Sequence, residues 1–176
     1  MKKNVLFLLI DCLRADICLG KRRKVKTPTI DNLFQKGTVF TQAISTSSTT
    51  TPCVASIMTG TYPFLNGILA HNGYKLNPGC ITLAEALKDN GYNTCALITG
   101  PLSTETDLNR GFDEYVYRDR DINLYSGWKP ELIRYLRNTP LREPWFIFAH
   151  FWELHVPRPV LNEFNTPKYG RNSYDR

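Results

Sequence analysis

The sequence has no long apolar run. Its most hydrophobic stretch, VLFLLI at residues 5–10, ends directly at Asp11, whereas a membrane-spanning helix needs about 20 apolar residues. The stretch is also too short for the hydrophobic region of a secretory signal peptide. We therefore expect a cytoplasmic protein that makes no membrane contact.

Cysteine is present but not in a structural pattern. The five residues Cys12, Cys18, Cys53, Cys80 and Cys95 are odd in number and include no closely spaced Cys-x-x-Cys pair. This argues against a disulfide framework and against a zinc ribbon. It favours a reducing compartment.

Long basic runs are also missing, although the net charge is +6. The short cluster KRRK at residues 21–24 is typical of a solvated loop, so we expect no nucleic-acid partner. The positive charge instead favours attraction of small anionic substrates. Because no repeat or low-complexity linker interrupts the 176 residues, we predict a single domain over residues 1–176.

Short apolar runs bounded by charged or turn residues predict buried strands of a parallel sheet. Such runs lie at residues 4–10, 93–99 and 144–151. The alternating segment TVFTQAIS at residues 38–45 predicts a further strand. Beyond residue 155 the sequence is irregular over a length that compact domains seldom end with, so we expect the chain to stop before its next element.

Residues typical of helix starts and helix ends lie between these runs. Pro28 follows Thr27 as the first residue of a helix that Gly37 would end. Thr82 and Glu85 have the spacing of a capping box. Helices are therefore expected over residues 27–37, 52–59, 82–92 and 129–138. Strands that alternate with helices indicate an α/β fold with a mostly parallel sheet.

Polar side chains lie where the predicted strands end and where one helix begins. Asp11 directly follows the first strand, and a threonine cluster that includes Thr50 precedes the short helix. His150, Glu153 and His155 lie at or after the last strand. Ligands bind at the carboxyl ends of strands in open α/β sheets. A carboxylate, a hydroxyl and an imidazole suit metal-assisted transfer of a phosphoryl or sulfuryl group.

Each of these residues also has a structural explanation. Asp11 suits a turn, the threonines suit a helix cap, and His155 suits an exposed loop. His150 lies inside an apolar strand, which is more typical of a packed core residue. Residue types and spacing leave both interpretations open.

Taken in order, five segments resemble the N-terminal part of the sulfatase family, within the alkaline phosphatase superfamily. One, TTPCVASIMTGTYPFLNGI, is similar to the family's nucleophile motif, Cys/Ser-x-Pro-x-Arg-Ala-Ser-x-x-Thr-Gly followed by Tyr-Pro. The others are NVLFLLIDCLRAD, TPTIDNLFQKGTVFTQAIS, TLAEALKDNGYNTCALIT with GFDEY, and FAHFWELHVP. The resemblance implies a three-layer α/β/α sandwich of the alkaline-phosphatase type, truncated at the C-terminus.

The motif implies a role for one threonine. Pro52 takes the place of the motif proline, so Thr50 takes the nucleophile position. In sulfatases this position is a Cys or Ser that is oxidised to formylglycine, which Thr cannot form. A Thr nucleophile resembles the phosphodiesterase and phosphotransferase branches of the superfamily. Val54 stands where sulfatases carry Arg, and choosing Cys53 instead would break the spacing to Thr-Gly.

The resemblance also implies a divalent metal ion, Ca, Mg, Mn or Zn, with Asp11 and Thr50 as ligands. Many sulfatases have a second Asp where this chain has Cys12, which either binds a softer metal as a thiolate or is structural. His155 would bind the ester oxygens or assist the leaving group. The family's second acidic pair lies further downstream, so a missing C-terminal half or a second chain would complete the site.

The sequence thus predicts a metal-dependent hydrolase or transferase that acts on small sulfate or phosphate esters. Two alternatives stay open: a catalytically inactive fragment, and a non-enzymatic anion-binding module. We expect Asp11, Thr50 and His155 to converge at one edge of the sheet.

Overall fold

Four strands form one parallel sheet in the computed structural model, which describes residues 2–19, 25–119, 122, 124–138 and 142–155. The strands are β1 (Val5–Ile10), β2 (Asn93–Ile98), β3 (Glu114–Tyr117) and β4 (Trp145–Phe151), and their order across the sheet is β1-β4-β2-β3. Because every pairing is parallel, all four carboxyl ends lie at one edge of the sheet.

Six helices connect these strands within the described part of the chain. They are α1 (Ala15–Cys18), α2 (Pro28–Lys36), α3 (Thr50–Thr59), α4 (Pro63–Asn66), α5 (Leu83–Asp89) and α6 (Lys129–Asn138). A 3₁₀ turn spans Thr104–Thr106 and a π-helical turn spans Leu124–Trp128. None of these helices is long and apolar enough to cross a membrane.

Helices cover both faces of the sheet, as a three-layer sandwich requires. Successive residues of β2 and β4 face opposite sides, because side chains alternate along a strand. On one face Ala96, Ile98, Phe146 and Phe148 pack against residues of α3 and α5; on the other Cys95, Leu97, Ile147 and Ala149 pack against Trp128 and residues of α6. The predicted α/β sandwich with a parallel sheet is confirmed.

The predicted capping box opens α5. The Glu85 amide donates to Thr82 Oγ1 at 3.0 Å, and the Thr82 amide donates to Glu85 Oε2 at 2.8 Å. Arg110 adds two hydrogen bonds to the same carboxylate, from Nε at 2.9 Å and from Nη2 at 3.0 Å. These contacts tie the start of α5 to the segment that leads into β3.

The strand predicted over residues 38–45 is wrong. The segment forms irregular turns, and its large apolar residues are exposed, Phe40 to 79% and Ile44 to 92%. Alternation stabilises a strand when one face packs on a core and the backbone pairs with a neighbour. Among the described residues this segment has neither, whereas β3, which the sequence did not identify as a strand, pairs with β2.

The outer strand β1 is covered on one face. Val5, Phe7 and Leu9 pack against the core shared with α3 and α5. The alternate residues Leu6 and Leu8 are exposed to 53% and 50%. The α6 layer thus extends over β2 and β4 but leaves this side of β1 open in the described structure.

Candidate active site

Asp11 and Thr50 meet at the carboxyl edge of the sheet. The Asp11 amide donates to the Phe151 carbonyl at 2.9 Å, which extends the pairing of β1 with β4 by one residue and fixes the aspartate at the strand end. Thr50 Oγ1 donates to Asp11 Oδ2 at 2.9 Å. The convergence of these two side chains, expected from the sequence, is therefore present.

The Thr50 hydroxyl does not cap its helix. The cap position of α3 is Thr49, and its side chain makes no capping hydrogen bond. Thr50 is the first helical residue, two positions earlier than the predicted start at residue 52. Its hydroxyl turns away from the helix backbone to the Asp11 carboxylate. The helix-cap explanation of this hydroxyl is therefore wrong.

Asp11 is held as a carboxylate by its surroundings. Burial raises its pKa, but hydrogen bonds from His150, Cys12 and Thr50 and the charge of His150 outweigh burial, so the net pKa is lowered. The two oxygens have different partners: Oδ2 faces Thr50 and His150, and Oδ1 faces Cys12. One carboxylate thus connects the hydroxyl and the thiol.

His150 lies in the candidate site, although its place in an apolar strand favoured a packed core residue. It is fully buried, as a core residue would be, yet Nε2 lies 3.3 Å from Asp11 Oδ2 and Nδ1 lies 3.0 Å from the Thr99 carbonyl oxygen. Both partners only accept, so the two hydrogen bonds coexist when both ring nitrogens carry protons. A signal was available: His150 is a polar residue one position before the end of a buried strand.

His155 and Cys12 form a second cluster with Asp11. One ligand atom from each of these three residues lies within 4.8 Å of the other two. The His155 ring stacks on Trp152, with centroids 3.8 Å apart and planes at 11°, and its amide donates to the Trp152 carbonyl at 3.1 Å. His155 therefore lies at the predicted edge, beside Asp11 and Cys12.

Cys12 is turned toward Asp11 by an unusual backbone conformation. Its φ of 58° is in the left-handed region, which residues with a side chain seldom adopt. Cys12 Sγ lies 3.0 Å from Asp11 Oδ1. Burial, the hydrogen bond to Asp11 and the negative charge of Asp11 raise the pKa of the Cys12 thiol to about 12. Without a cation the thiol is therefore protonated at neutral pH.

Two other residues of the nucleophile motif, Cys53 and Val54, have different surroundings. Cys53 Sγ contacts the Ser47 carbonyl at 3.1 Å and Ser45 Oγ at 3.0 Å, both in the loop that precedes α3. Val54, which stands where sulfatases carry Arg, is 2% exposed and packs in the core beneath α3. Thr50 is thus the residue of this motif whose reactive atom contacts Asp11.

Glu153 has a structural partner rather than a place beside Asp11. Its carboxylate forms an ion pair with Arg118, with Oε1 at 2.6 Å from Nη1, and accepts the Leu124 amide at 3.0 Å. The Arg118 guanidinium also lies over the Trp128 ring, 4.5 Å from the centroid. These contacts fix the turn after β3 against the turn after β4.

A hydroxyl–imidazole contact adjoins Thr50. Thr51 Oγ1 lies 2.9 Å from His71 Nδ1, and Thr51 is fully buried. His71 follows α4 in an irregular segment, where sequence reasoning assigned it no role.

The donor set of Asp11, Cys12 and His155 suits a divalent metal ion. An anionic oxygen, a sulfur and an imidazole nitrogen converge there, and each is a ligand type that protein metal sites use. Thr50 is joined to the set through Asp11. The residues therefore fit the divalent metal ion that the sequence predicts.

Solved structures define the class of fold. The phosphonate monoester hydrolase of Agrobacterium radiobacter superposes with a TM-score of 0.71 at 22% identity, covering 96% of this chain and 45% of that chain. A protein of the alkaline phosphatase superfamily from Vibrio parahaemolyticus gives 0.66 at 23%, covering 98% and 47%. The chain has the alkaline-phosphatase fold.

The sequence assigns the chain within that class. The sulfatase family model matches residues 3–176, and the chain belongs to the sulfatase family, a family of hydrolases. The N-acetylgalactosamine-6-O-sulfatase of Bacteroides thetaiotaomicron is 37% identical over 98 residues, which are 53% of this chain and 19% of that protein. The chain spans about a fifth of the length of the curated relatives it matches.

Proposed function

We propose that this chain carries the nucleophile of a sulfatase-family hydrolase that prefers phosphate esters, with Thr50 as the nucleophile. The observation that carries the proposal is the 2.9 Å hydrogen bond from Thr50 Oγ1 to Asp11 Oδ2. The hydroxyl lies at the start of a ten-residue helix, bonds to a carboxylate and does not cap the helix.

Thr50 is placed to react with an anionic ester. The first turn of a helix has backbone N–H groups that do not bond within the helix, and the helix dipole favours negative charge there. An ester bound at this end would meet the hydroxyl and these donors together. Attack forms an Oγ–phosphorus bond and breaks the bond from phosphorus to the ester oxygen, which leaves as an alcohol; the proton lost from the Thr50 hydroxyl balances the proton that this oxygen takes up. Water then cleaves the Oγ–phosphorus bond and restores the hydroxyl.

Asp11 and His155 have different tasks. Asp11 orients the Thr50 hydroxyl through Oδ2 and contributes to metal binding, with Cys12 and His155 as its neighbours. A divalent metal ion bound there would lower the pKa of a hydroxyl and neutralise ester oxygens. His155, held against Trp152, would bind the metal ion through one ring nitrogen and hydrogen-bond the ester oxygens through the N–H of the other.

The preference for phosphate esters follows from the identity of residue 50. Oxidation of a threonine side chain gives a ketone, since its β-carbon carries a methyl group, and not the aldehyde that sulfatases use. The hydroxyl itself must then attack, which is the chemistry expected for phosphate monoesters, phosphate diesters and phosphonates. Sulfated substrates, named for the Bacteroides relative, would be poor substrates here.

The test compares neighbouring threonines in the complete product of the gene. Turnover of an aryl phosphate, an aryl phosphodiester and an aryl sulfate is measured for Thr50→Ala, Thr50→Ser and Thr49→Ala. Thr50→Ala should lose activity by roughly 10³-fold or more. Thr50→Ser should keep part of it, and Thr49→Ala should stay near wild type because its hydroxyl does not cap the helix.

Three outcomes would overturn the proposal. Near-normal turnover in Thr50→Ala would remove Thr50 from the mechanism. Faster turnover of the aryl sulfate than of both phosphate esters would contradict the substrate preference. Absence of turnover in wild type on all three esters would support the inactive-fragment alternative.

A further inference from the structure

The two oxygens of the Asp11 carboxylate contact different groups. Oδ2 accepts from Thr50 at 2.9 Å and lies 3.3 Å from His150 Nε2. Oδ1 lies 3.0 Å from Cys12 Sγ. A cation that binds through Oδ1 beside the Cys12 sulfur therefore leaves the contact between Thr50 and Asp11 intact.

The third donor is held in place by its neighbours. His155 stacks on Trp152, whose ring also makes an edge contact with His150 at 5.7 Å between centroids. The Gly100 backbone contacts the same indole: a Cβ at Gly100 would lie 2.7 Å from Trp152 Cε3. Trp152 is thus fixed between β2 and β4, and it restricts the His155 ring to the neighbourhood of Asp11 and Cys12.

The spacing of the three donors is close to that of a small metal site. They lie within 4.8 Å of one another, and ligand atoms around a tetrahedral zinc ion lie roughly 3.4 Å apart, given bond lengths of about 2.0–2.3 Å. Shortening these distances by at most about 1.4 Å, which side-chain rotation can achieve, would bring the three donors onto one ion. Ca²⁺ instead takes six to eight oxygen ligands and Mg²⁺ an octahedron of oxygens.

We propose that Asp11, Cys12 and His155 bind a thiophilic divalent ion of the zinc class in preference to Ca²⁺ or Mg²⁺. Sulfur and imidazole nitrogen are the donors that Zn²⁺ and Co²⁺ prefer, whereas hard cations select oxygen. Three protein ligands leave one tetrahedral position open, which is the arrangement of sites where a substrate binds the metal. The inference rests on the metal dependence of the proposed function and specifies its ion.

Cobalt reports the ligand directly, without any assay of turnover. The full chain is freed of metal with a chelator and titrated with Co²⁺. Coordination by Cys12 should give a near-ultraviolet thiolate-to-cobalt charge-transfer band, together with the visible bands of a tetrahedral ion. The charge-transfer band should disappear in Cys12→Ser and persist in Cys53→Ser, because the Cys53 thiol contacts Ser45 and Ser47.

Competition tests the selectivity. Zn²⁺ should displace Co²⁺, while a large excess of Ca²⁺ or Mg²⁺ should leave the band unchanged. Cys12→Asp, which restores an all-oxygen pair at residues 11 and 12, should reverse this order. The inference would be overturned if wild type showed no charge-transfer band or if the band persisted in Cys12→Ser. Loss of the band on addition of Ca²⁺ would also overturn it.

Failure of the inference and failure of the proposed function are distinguishable. Thr50→Ala should keep the cobalt band even though it loses turnover. Hydrolysis without a thiolate band would retain the function and reject the zinc-class site. A band in wild type without hydrolysis of any ester would support the zinc-class site and reject the proposed function.

Discussion

Asp11 Oδ2 and His150 Nε2 lie 3.3 Å apart, although 139 residues separate them in the sequence. The parallel register of β1 with β4 pairs Leu9 with His150. This places the histidine level with the end of β1, where Asp11 begins the following turn. The pairing of two strands from opposite ends of the chain thus assembles the buried part of the candidate site.

Replacing His150 should raise the pKa of Asp11. Burial raises that pKa, and the hydrogen bond from His150 is the largest of the effects that lower it. His150→Phe keeps a ring in the site but removes the hydrogen bond and the charge. NMR titration of the Asp11 carboxyl carbon should therefore show a higher pKa in His150→Phe, and a smaller rise in Thr50→Ala.

The same titration has a consequence for stability. A lowered folded-state pKa stabilises the protein above the ordinary Asp value of 3.8, and this contribution is lost as the pH falls through the folded-state value. The acid dependence of the unfolding free energy should therefore weaken in His150→Phe. An unchanged Asp11 pKa in a variant with a native circular dichroism spectrum would contradict the pairing.

Cys12 should resist alkylation despite its exposure. A thiol with a pKa of about 12 is thiolate to only about 10⁻⁴ at pH 8, and the thiolate is the nucleophile. We expect slow iodoacetamide labelling at pH 8 in the presence of chelator and faster labelling as the pH rises. Peptide mass spectrometry measures both.

Asp11→Asn is the matched variant for this experiment. It removes the negative charge that adds to the effect of burial on the Cys12 pKa, so labelling at pH 8 should become faster without reaching the rate of the urea-unfolded chain. Labelling of native Cys12 at the unfolded rate would show that the thiol is not held against Asp11.

Gly111 should tolerate no side chain. Its φ is +84°, and a Cβ there would lie 2.1 Å from the Glu85 amide nitrogen, at the start of α5. Gly111→Ala should cost roughly 3 kcal/mol or more, from backbone strain and forced separation of packed backbone. Gly73 provides the control, because it has a φ of +78° but nothing within 4 Å of the added Cβ.

Gly73→Ala should therefore lose only the strain, about 1–2 kcal/mol. Urea unfolding of the two variants beside wild type measures both values. Equal losses would mean that the close approach of Gly111 to α5 is not present in solution.

The Glu85 carboxylate should stabilise the fold in a pH-dependent way. Its hydrogen bond with Arg110 lowers its pKa, assisted by the Thr82 amide. The contribution is fully present above the ordinary Glu value of 4.5 and is lost as the pH falls through the lower folded-state pKa. Glu85→Gln should cost about 1 kcal/mol at pH 7.

The difference between Glu85→Gln and wild type should shrink on acidification. Glu105→Gln, on the exposed surface, should change stability little at either pH. Thermal unfolding at pH 7 and pH 3 distinguishes these expectations. A difference that grows toward low pH would contradict the sign.

The sequence predicted the elements that carry local signals. The runs that became β1, β2 and β4 are apolar on both faces, and the capping box at Thr82 fixes the start of α5. Parallel strands align their carboxyl ends, so the position of Asp11 at this edge followed from the fold class. These features depend on periodicity and topology, which a single sequence contains.

Features that depend on tertiary partners were missed. The alternation in residues 38–45 is a genuine strand signal, but the described structure offers it neither a core nor a partner strand. His150 has the burial of a core residue and the hydrogen bonds of a site residue at once. Nothing in the local sequence around Cys12 reveals its left-handed backbone. The single-domain prediction and the roles of the site residues stay predictions.

The open side of β1 also governs how the chain should behave in concentrated solution. Leu6 and Leu8 lie half exposed on a strand that has one neighbour in the described sheet. Unpaired backbone groups beside apolar side chains form a template onto which another extended chain can add. Lysine at residue 6 or 8 would act as a gatekeeper, and light scattering should show less association than in wild type.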